Sequence, residues 1–296
     1  SIPVQASPKL ALGMTIVEKG GCFGCHQIDG FENTPKPGPG LRKIATKTTK
    51  EFAFKWIDEP RSFRENTWMP HFFNQLNSQD SQSLIRKDQE IHAIVNYLFN
   101  RSTEFKMERL PNKGNADNGR MLVNSLGCLG CHSSEGEEPV EIKSVNSIRR
   151  EHGPNLIKLG SKTTQRWIYN WVQDPQRYHP ASKMPNLRLT KQEAADISSY
   201  LISQKDSNFE DQTVPDVDEV ELDKIVTEFL GSTLRKQEVE ARLAEMNLDQ
   251  KLNYTGGKLI RQYGCYSCHD IGGFEDAKPI GTPLTTEASK LISKLD

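Results

Sequence analysis

No run of about 18 uncharged apolar residues occurs in this 296-residue sequence, so no segment of it reads as a membrane-crossing helix. Net charge is almost absent: 38 basic residues stand against 39 acidic ones, and a balance of −1 marks no nucleic-acid partner. Apolar residues make up only 35%, enough for small cores that call for a non-protein filler. The opening SIPVQASPKL has no initiator Met, no basic n-region and no apolar h-region, so a removed leader or a longer natural chain is expected. Methionine is scarce at six, and none follows Met246. Cysteine is equally scarce, and its placement decides the class.

All six cysteines fall in three copies of one pentad: Cys22-Phe-Gly-Cys25-His26, Cys128-Leu-Gly-Cys131-His132 and Cys265-Tyr-Ser-Cys268-His269. Two thiols three positions apart on a helical turn can each add to a vinyl group of a haem, and the adjoining imidazole then meets the iron. CxxCH therefore reads as c-type haem attachment, with His26, His132 and His269 as proximal ligands. The rival readings explain less. Zinc ribbons set two CxxC knuckles about 15–20 residues apart, whereas these pentads begin 106 and 137 residues apart. A thioredoxin-like dithiol calls for a βαβ setting, and disulfides inside each CxxC leave three histidines unexplained.

The repeat extends beyond the pentad. A glycine lies nine positions before the first Cys of each copy, at Gly13, Gly119 and Gly256, and another directly before it, at Gly21, Gly127 and Gly264. The apolar residues between them are in helical phase, so a helix is expected to stop where each site begins. Downstream, Gly38-Pro39-Gly40-Leu41 matches Gly153-Pro154-Asn155-Leu156. Counting from Gly38 and Gly153, the pairs Phe52/Trp167, Trp56/Trp171, Pro60/Pro175 and Met69/Met184 share the same offsets. A middle helix is expected through 51–57 and 164–172, stopped by Pro60 and Pro175, and a terminal helix near 88–100 and 190–203 with Asp or Thr start signals.

The units so delimited are 1–105, 106–205 and the start of a third at 251–296. Between the last two, residues 206–250 carry 4 bases and 13 acids and read as an acidic linker of two helices on either side of Gly231. That strip is a solvated face or a docking surface for a basic partner. In the third copy GFEDAKPIGTPL parallels GFENTPKPGPGL of the first, and the register puts its Met near position 312, so continuation past Asp296 is expected.

With these motifs assembled, the chain resembles the class I cytochrome c family, repeated in series over roughly residues 8–103, 112–205 and 250–296. The resemblance implies an all-α fold of tandem class I cytochrome c domains, the third incomplete, with three haem c groups per chain. It implies Met69 and Met184 as sixth ligands of the first two haems, and the carbonyls of Pro39 and Pro154 as acceptors for the proximal ring N–H. It further implies that Trp56 and Trp171 give an indole N–H to a haem propionate or pack on the haem, and that Gly13 and Gly119 mark where terminal helices cross. His71 and His179 are the competing sixth ligands, whereas His92 and His152 read as surface or loop residues. The third haem has no local sixth ligand. The function implied is relay of single electrons between redox partner proteins, or between subunits of a membrane respiratory complex, on the periplasmic or extracellular face. The alternative is a multihaem peroxidase or reductase with an open third haem.

Overall fold

The computed structural model describes residues 7–134, 153–291 and 293, so His152 lies outside the described residues. All regular structure among the described residues is helical. They divide into two compact units, one made of residues up to Leu41 and from Gly264 onward, the other lying between Arg42 and Tyr263.

In the first unit, helix α1 spans Pro8–Gly20. A proline in the first turn sacrifices no helical hydrogen bond, and Gly21 at φ 68° ends the helix in the left-handed conformation that glycine adopts without penalty. Gly264, at φ 70°, opens the third pentad in the same way. Each pentad is then one tight turn, closed by His26 N–H on Cys22 O at 2.9 Å and by His269 N–H on Cys265 O at 3.0 Å. Phe23 stacks on Phe31 and Tyr266 on Phe274, with centroids 5.6 and 5.3 Å apart, at equivalent positions of the two copies.

The second unit holds the rest of the first repeat, nearly all of the second, and the helices that follow. Helix α2 spans Lys50–Asp58 and α3 Ser81–Asn100. Helix α4 spans Ala116–Ser125, α5 Gln165–Gln173 and α6 Lys191–Ser203. Three more follow: α7 at Glu219–Gly231, α8 at Lys236–Glu245 and α9 at Leu248–Tyr263. Side chains cap most starts: Thr49 and Thr164 accept from Phe52 N–H and Trp167 N–H, and Thr190 forms a capping box with Glu193. Helices α2 and α5 end two residues before Pro60 and Pro175, since the residue preceding a proline avoids the helical region. Each proline then opens a one-turn helix.

Two differences from the sequence expectations stand out. Helix α3 starts at Ser81 instead of near 88, because Asp80 accepts from Ser83 N–H at 3.0 Å and caps it earlier. The acidic linker is not a detached spacer: Leu222, Ile225 and Val226 of α7 are fully buried, and α7 packs on α3 and α9. Its acids have partners inside the unit. Glu221 accepts from Gln82 Nε2 at 2.7 Å, Arg86 holds Glu228 at 2.8 Å, and Lys251 meets Asp223 at 2.6 Å.

Candidate functional site

Helix α4 carries the second pentad against α6. A Cβ on Gly119 would collide with Asp196 O, so only glycine allows the two backbones this close. At the foot of α4, Gly127 adopts φ 81° and the pentad turns, with His132 N–H on Cys128 O at 2.9 Å. Three bonds then fasten a loop to it. Gly153 N–H donates to Cys131 O at 2.9 Å, Leu156 N–H to Ser133 O at 2.7 Å, and His132 Nδ1 to Pro154 O at 2.7 Å.

The first unit repeats this pattern twice with the loops interchanged. Around His269, Gly38 N–H donates to Cys268 O and Leu41 N–H to Asp270 O, both at 2.8 Å, and His269 Nδ1 donates to Pro39 O at 2.8 Å. Around His26, Gly281 N–H donates to Cys25 O at 2.7 Å, Leu284 N–H to Gln27 O at 2.9 Å, and His26 Nδ1 to Thr282 O at 2.8 Å. Pro39 is thus beside a proximal histidine, but that of the third pentad and not His26 as its place in the sequence implied. The loops are interchangeable locally, because each presents a glycine to the ring and lies the same distance in sequence from its own histidine.

A backbone carbonyl only accepts, so all three rings carry their proton on Nδ1 and keep the Nε2 lone pair for a metal. No disulfide joins the thiols of any pentad. Burial pushes the Cys265 thiol up to about 12 and raises that of Cys128, the reverse of a reactive dithiol. Among the described residues no three Cys, His, Asp or Glu side chains converge as a zinc site would require. Paired thiols beside a tautomer-fixed imidazole are the donor set that a covalently tethered haem uses, and the residues of the three pentads fit that group.

The two methionines sit in matched loops. Met69 N–H donates to Thr67 Oγ1 and Met184 N–H to Ser182 Oγ, each at 3.2 Å. Trp56 Nε1–H donates to Met69 Sδ at 2.8 Å, and Trp171 Nε1–H to Met184 Sδ at 3.0 Å. In this structure the indole N–H of both tryptophans thus lies on the sulfur of the expected sixth ligand. Of the competing histidines, His71 Nε2 meets Glu59 at 2.9 Å and His179 is exposed; His92, expected at the surface or in a loop, is instead half-buried on α3, where Pro215 O meets its Nε2 at 2.8 Å. Burial lowers the pKa of His92.

Several residues of this wall escaped the sequence reading. Phe63 and Tyr178 occupy equivalent positions and meet Phe52 and Trp167 edge-on, at 5.1 and 5.5 Å. Phe209, from beyond the second repeat, completes the cluster of the first, while Phe105, the last residue of the first, packs on Tyr178 of the second at 5.1 Å. Lys162 of the second repeat lies 5.6 Å over Trp56, and Lys47 of the first lies 4.9 Å over Trp167. Burial, with help from Lys47 and Arg64, brings Lys162 down to about 7, and burial alone brings Lys47 to about 8. A signal was available: Lys47-Thr48-Thr49 and Lys162-Thr163-Thr164 are identical and in register.

Comparison with known proteins gives one family. The model of the family described as Cytochrome c matches residues 10–102 and 116–205. No curated protein and no solved structure matches the chain. The third pentad lies outside both matched segments.

Proposed function

The chain belongs to the cytochrome c family, two matched segments covering more than half of it, and from that premise we propose a triple-haem c-type cytochrome that passes single electrons between redox partner proteins. Electron transfer through covalently bound haem c comes with the family. The observation that supports a third haem is the proximal geometry, since all three pentad histidines hold Nδ1 on a backbone carbonyl at 2.7 to 2.8 Å.

A haem c bound at a pentad supplies a one-electron Fe(III)/Fe(II) couple. The chain's residues do the rest. Cys22 and Cys25, Cys128 and Cys131, and Cys265 and Cys268 are the tethers. His26, His132 and His269 would offer Nε2 to the iron, their orientation fixed by the bond at Nδ1. Met69 and Met184 would supply thioether sulfurs to two of the haems, and a thioether would favour Fe(II) more than a second imidazole does. Trp56 and Trp171 steady those sulfurs from behind.

Attachment chemistry of this kind belongs to the outer side of the bacterial cytoplasmic membrane, so the protein works in the periplasm or at the outer face. None of the described helices is long and apolar enough to cross a membrane. Its donors and acceptors are redox proteins, either separate or assembled with it in a membrane respiratory complex. An optical redox titration tests the reading: three one-electron components are expected, and two components, or a concerted two-electron step, would contradict it.

A further inference from the structure

We propose that the first and third attachment segments have exchanged partners, so that the loop at 38–41 holds the third pentad and the loop at 281–284 holds the first, while the helix that leads into the third pentad takes the crossing on the terminal helix of the first repeat. The inference rests on reading the pentads as haem sites and adds which loop and which helix serve which site.

Two sets of contacts, one in each unit, carry it independently. Within the first unit, the three bonds that the second repeat makes between its own pentad and its own Gly-Pro loop recur twice with donors and acceptors interchanged. His269 takes the carbonyl of Pro39, 230 positions away, and His26 takes that of Thr282, 256 positions away. Side-chain contacts follow the same exchange: Lys36 Nζ donates to Tyr266 O at 2.6 Å, and Thr285 Oγ1 to Asp29 Oδ1 at 3.1 Å.

Within the second unit, the helix leading into the third pentad crosses the terminal helix of the first repeat. A Cβ on Gly256 of α9 would collide with Ala93 O and stand 2.7 Å from Tyr97 Cβ. In the second repeat a Cβ on Gly119 of α4 would collide with Asp196 O and stand 2.9 Å from Tyr200 Cβ. The glycine lies nine residues before its first Cys in both, and the carbonyl and the tyrosine are four residues apart in both, so these are one and the same crossing. Gly13, the counterpart on α1, has nothing within 4 Å of a Cβ.

The choice of α9 over α1 has a physical basis. Leu252, Leu259 and Ile260 of α9 are buried, and α7, which packs on both α9 and α3, adds Leu222, Ile225 and Val226. Helix α1 is less covered, with Leu10 and Leu12 49% and 50% exposed. Because glycine, pentad and loop are present in both copies at equal spacing, burial supplied by α7 decides which copy docks on α3. The haems are therefore not ordered by repeat in the way the chain order suggests, and residues near one end of the chain set the environment of a haem attached near the other.

The test uses the full chain with its haems and two alanine variants. A Cβ at Gly38 would stand 2.5 Å from His269 Cε1, and one at Gly281 would stand 2.6 Å from His26 Cε1. Paramagnetic proton resonance of the oxidised protein, with each haem assigned through its thioether bridges, reports which proximal ring each variant disturbs. G38A is expected to shift the methyl signals of the third haem and leave those of the first; G281A is expected to do the reverse. Shifts at the first haem for G38A and at the third for G281A, or no selective shift, would overturn the exchange. A second pair needs no haem signal: G256V should lower the melting temperature markedly while G13V leaves it unchanged, and equal or opposite losses would refute the crossing. Fewer than three haems by mass, with the G256V and G13V contrast intact, would sink the triple-haem reading and leave the exchange standing.

Discussion

The Met184 sulfur is one atom with two demands on it, the Trp171 N–H that it accepts and the iron that it would ligate. The methionine lies half-buried in its loop with Trp171 donating to its sulfur, and nearby His179 is exposed. Met184→His should keep the second haem low-spin and lower its potential, because imidazole stabilises Fe(III) relative to a thioether. The long-wavelength absorption band of Fe(III)–thioether ligation should weaken; an unchanged spectrum and potential would remove Met184 from the site. Trp171→Phe probes the bond behind it. An N–H on the sulfur draws electron density from the lone pair that would stabilise Fe(III), so its loss should lower the potential. One net hydrogen bond of about 1 kcal/mol corresponds to roughly 40 mV for a one-electron couple. A potential that rises, or does not move, in a voltammogram of Trp171→Phe would contradict this arrangement. Lys162 gives a residue-scale test by pH. Its folded pKa is about 7 against an ordinary 10.5, so the unfolded chain binds more protons between those values and stability rises with pH across that window. The causes are burial first, then the positive charges of Lys47 and Arg64. Lys162→Met should raise stability at pH 6 and flatten the rise between about 7 and 10.5, leaving only the share of Lys47; melting curves at several pH values check it.

Helix α5 and the α4–α6 crossing show what single elements contribute. Thr164 accepts from Trp167 N–H at 3.2 Å, and Thr164→Ala should cost about 1 kcal/mol in chemical unfolding. Gly119→Val should cost more, roughly 2 kcal/mol or above, because a side chain there forces α4 away from Asp196 O. Much at this scale was legible in the sequence. Gly21, Gly127 and Gly264 all adopt positive φ where a helix was expected to end, and the Thr190 start signal marks the first residue before α6. The early start of α3 was not legible, since SQSLIRKDQ shows no apolar period and only Asp80 announces the helix. Nor was the role of α7. A run rich in acids reads as solvated until Arg86, Gln82 and Lys251 are seen opposite it.

At the scale of the whole molecule, local pattern loses its power to predict. The attachment motifs, the loops and the paired methionines were visible because each is a short string whose chemistry is fixed by residue type and spacing. Which loop meets which pentad is a choice between similar strings, GPGL at 38–41 and GTPL at 281–284, more than 200 positions apart, and tertiary burial makes that choice. The family match covers 10–102 and 116–205 in chain order and leaves the third pentad unmatched, so the haem count is the property that separates three attachment sites from two. Intact-protein mass spectrometry of fully matured material measures it directly. The account predicts a mass above that of the polypeptide by three haems, with peptides around Cys22, Cys128 and Cys265 each carrying one; two haems, with Cys265 and Cys268 unmodified, would contradict it.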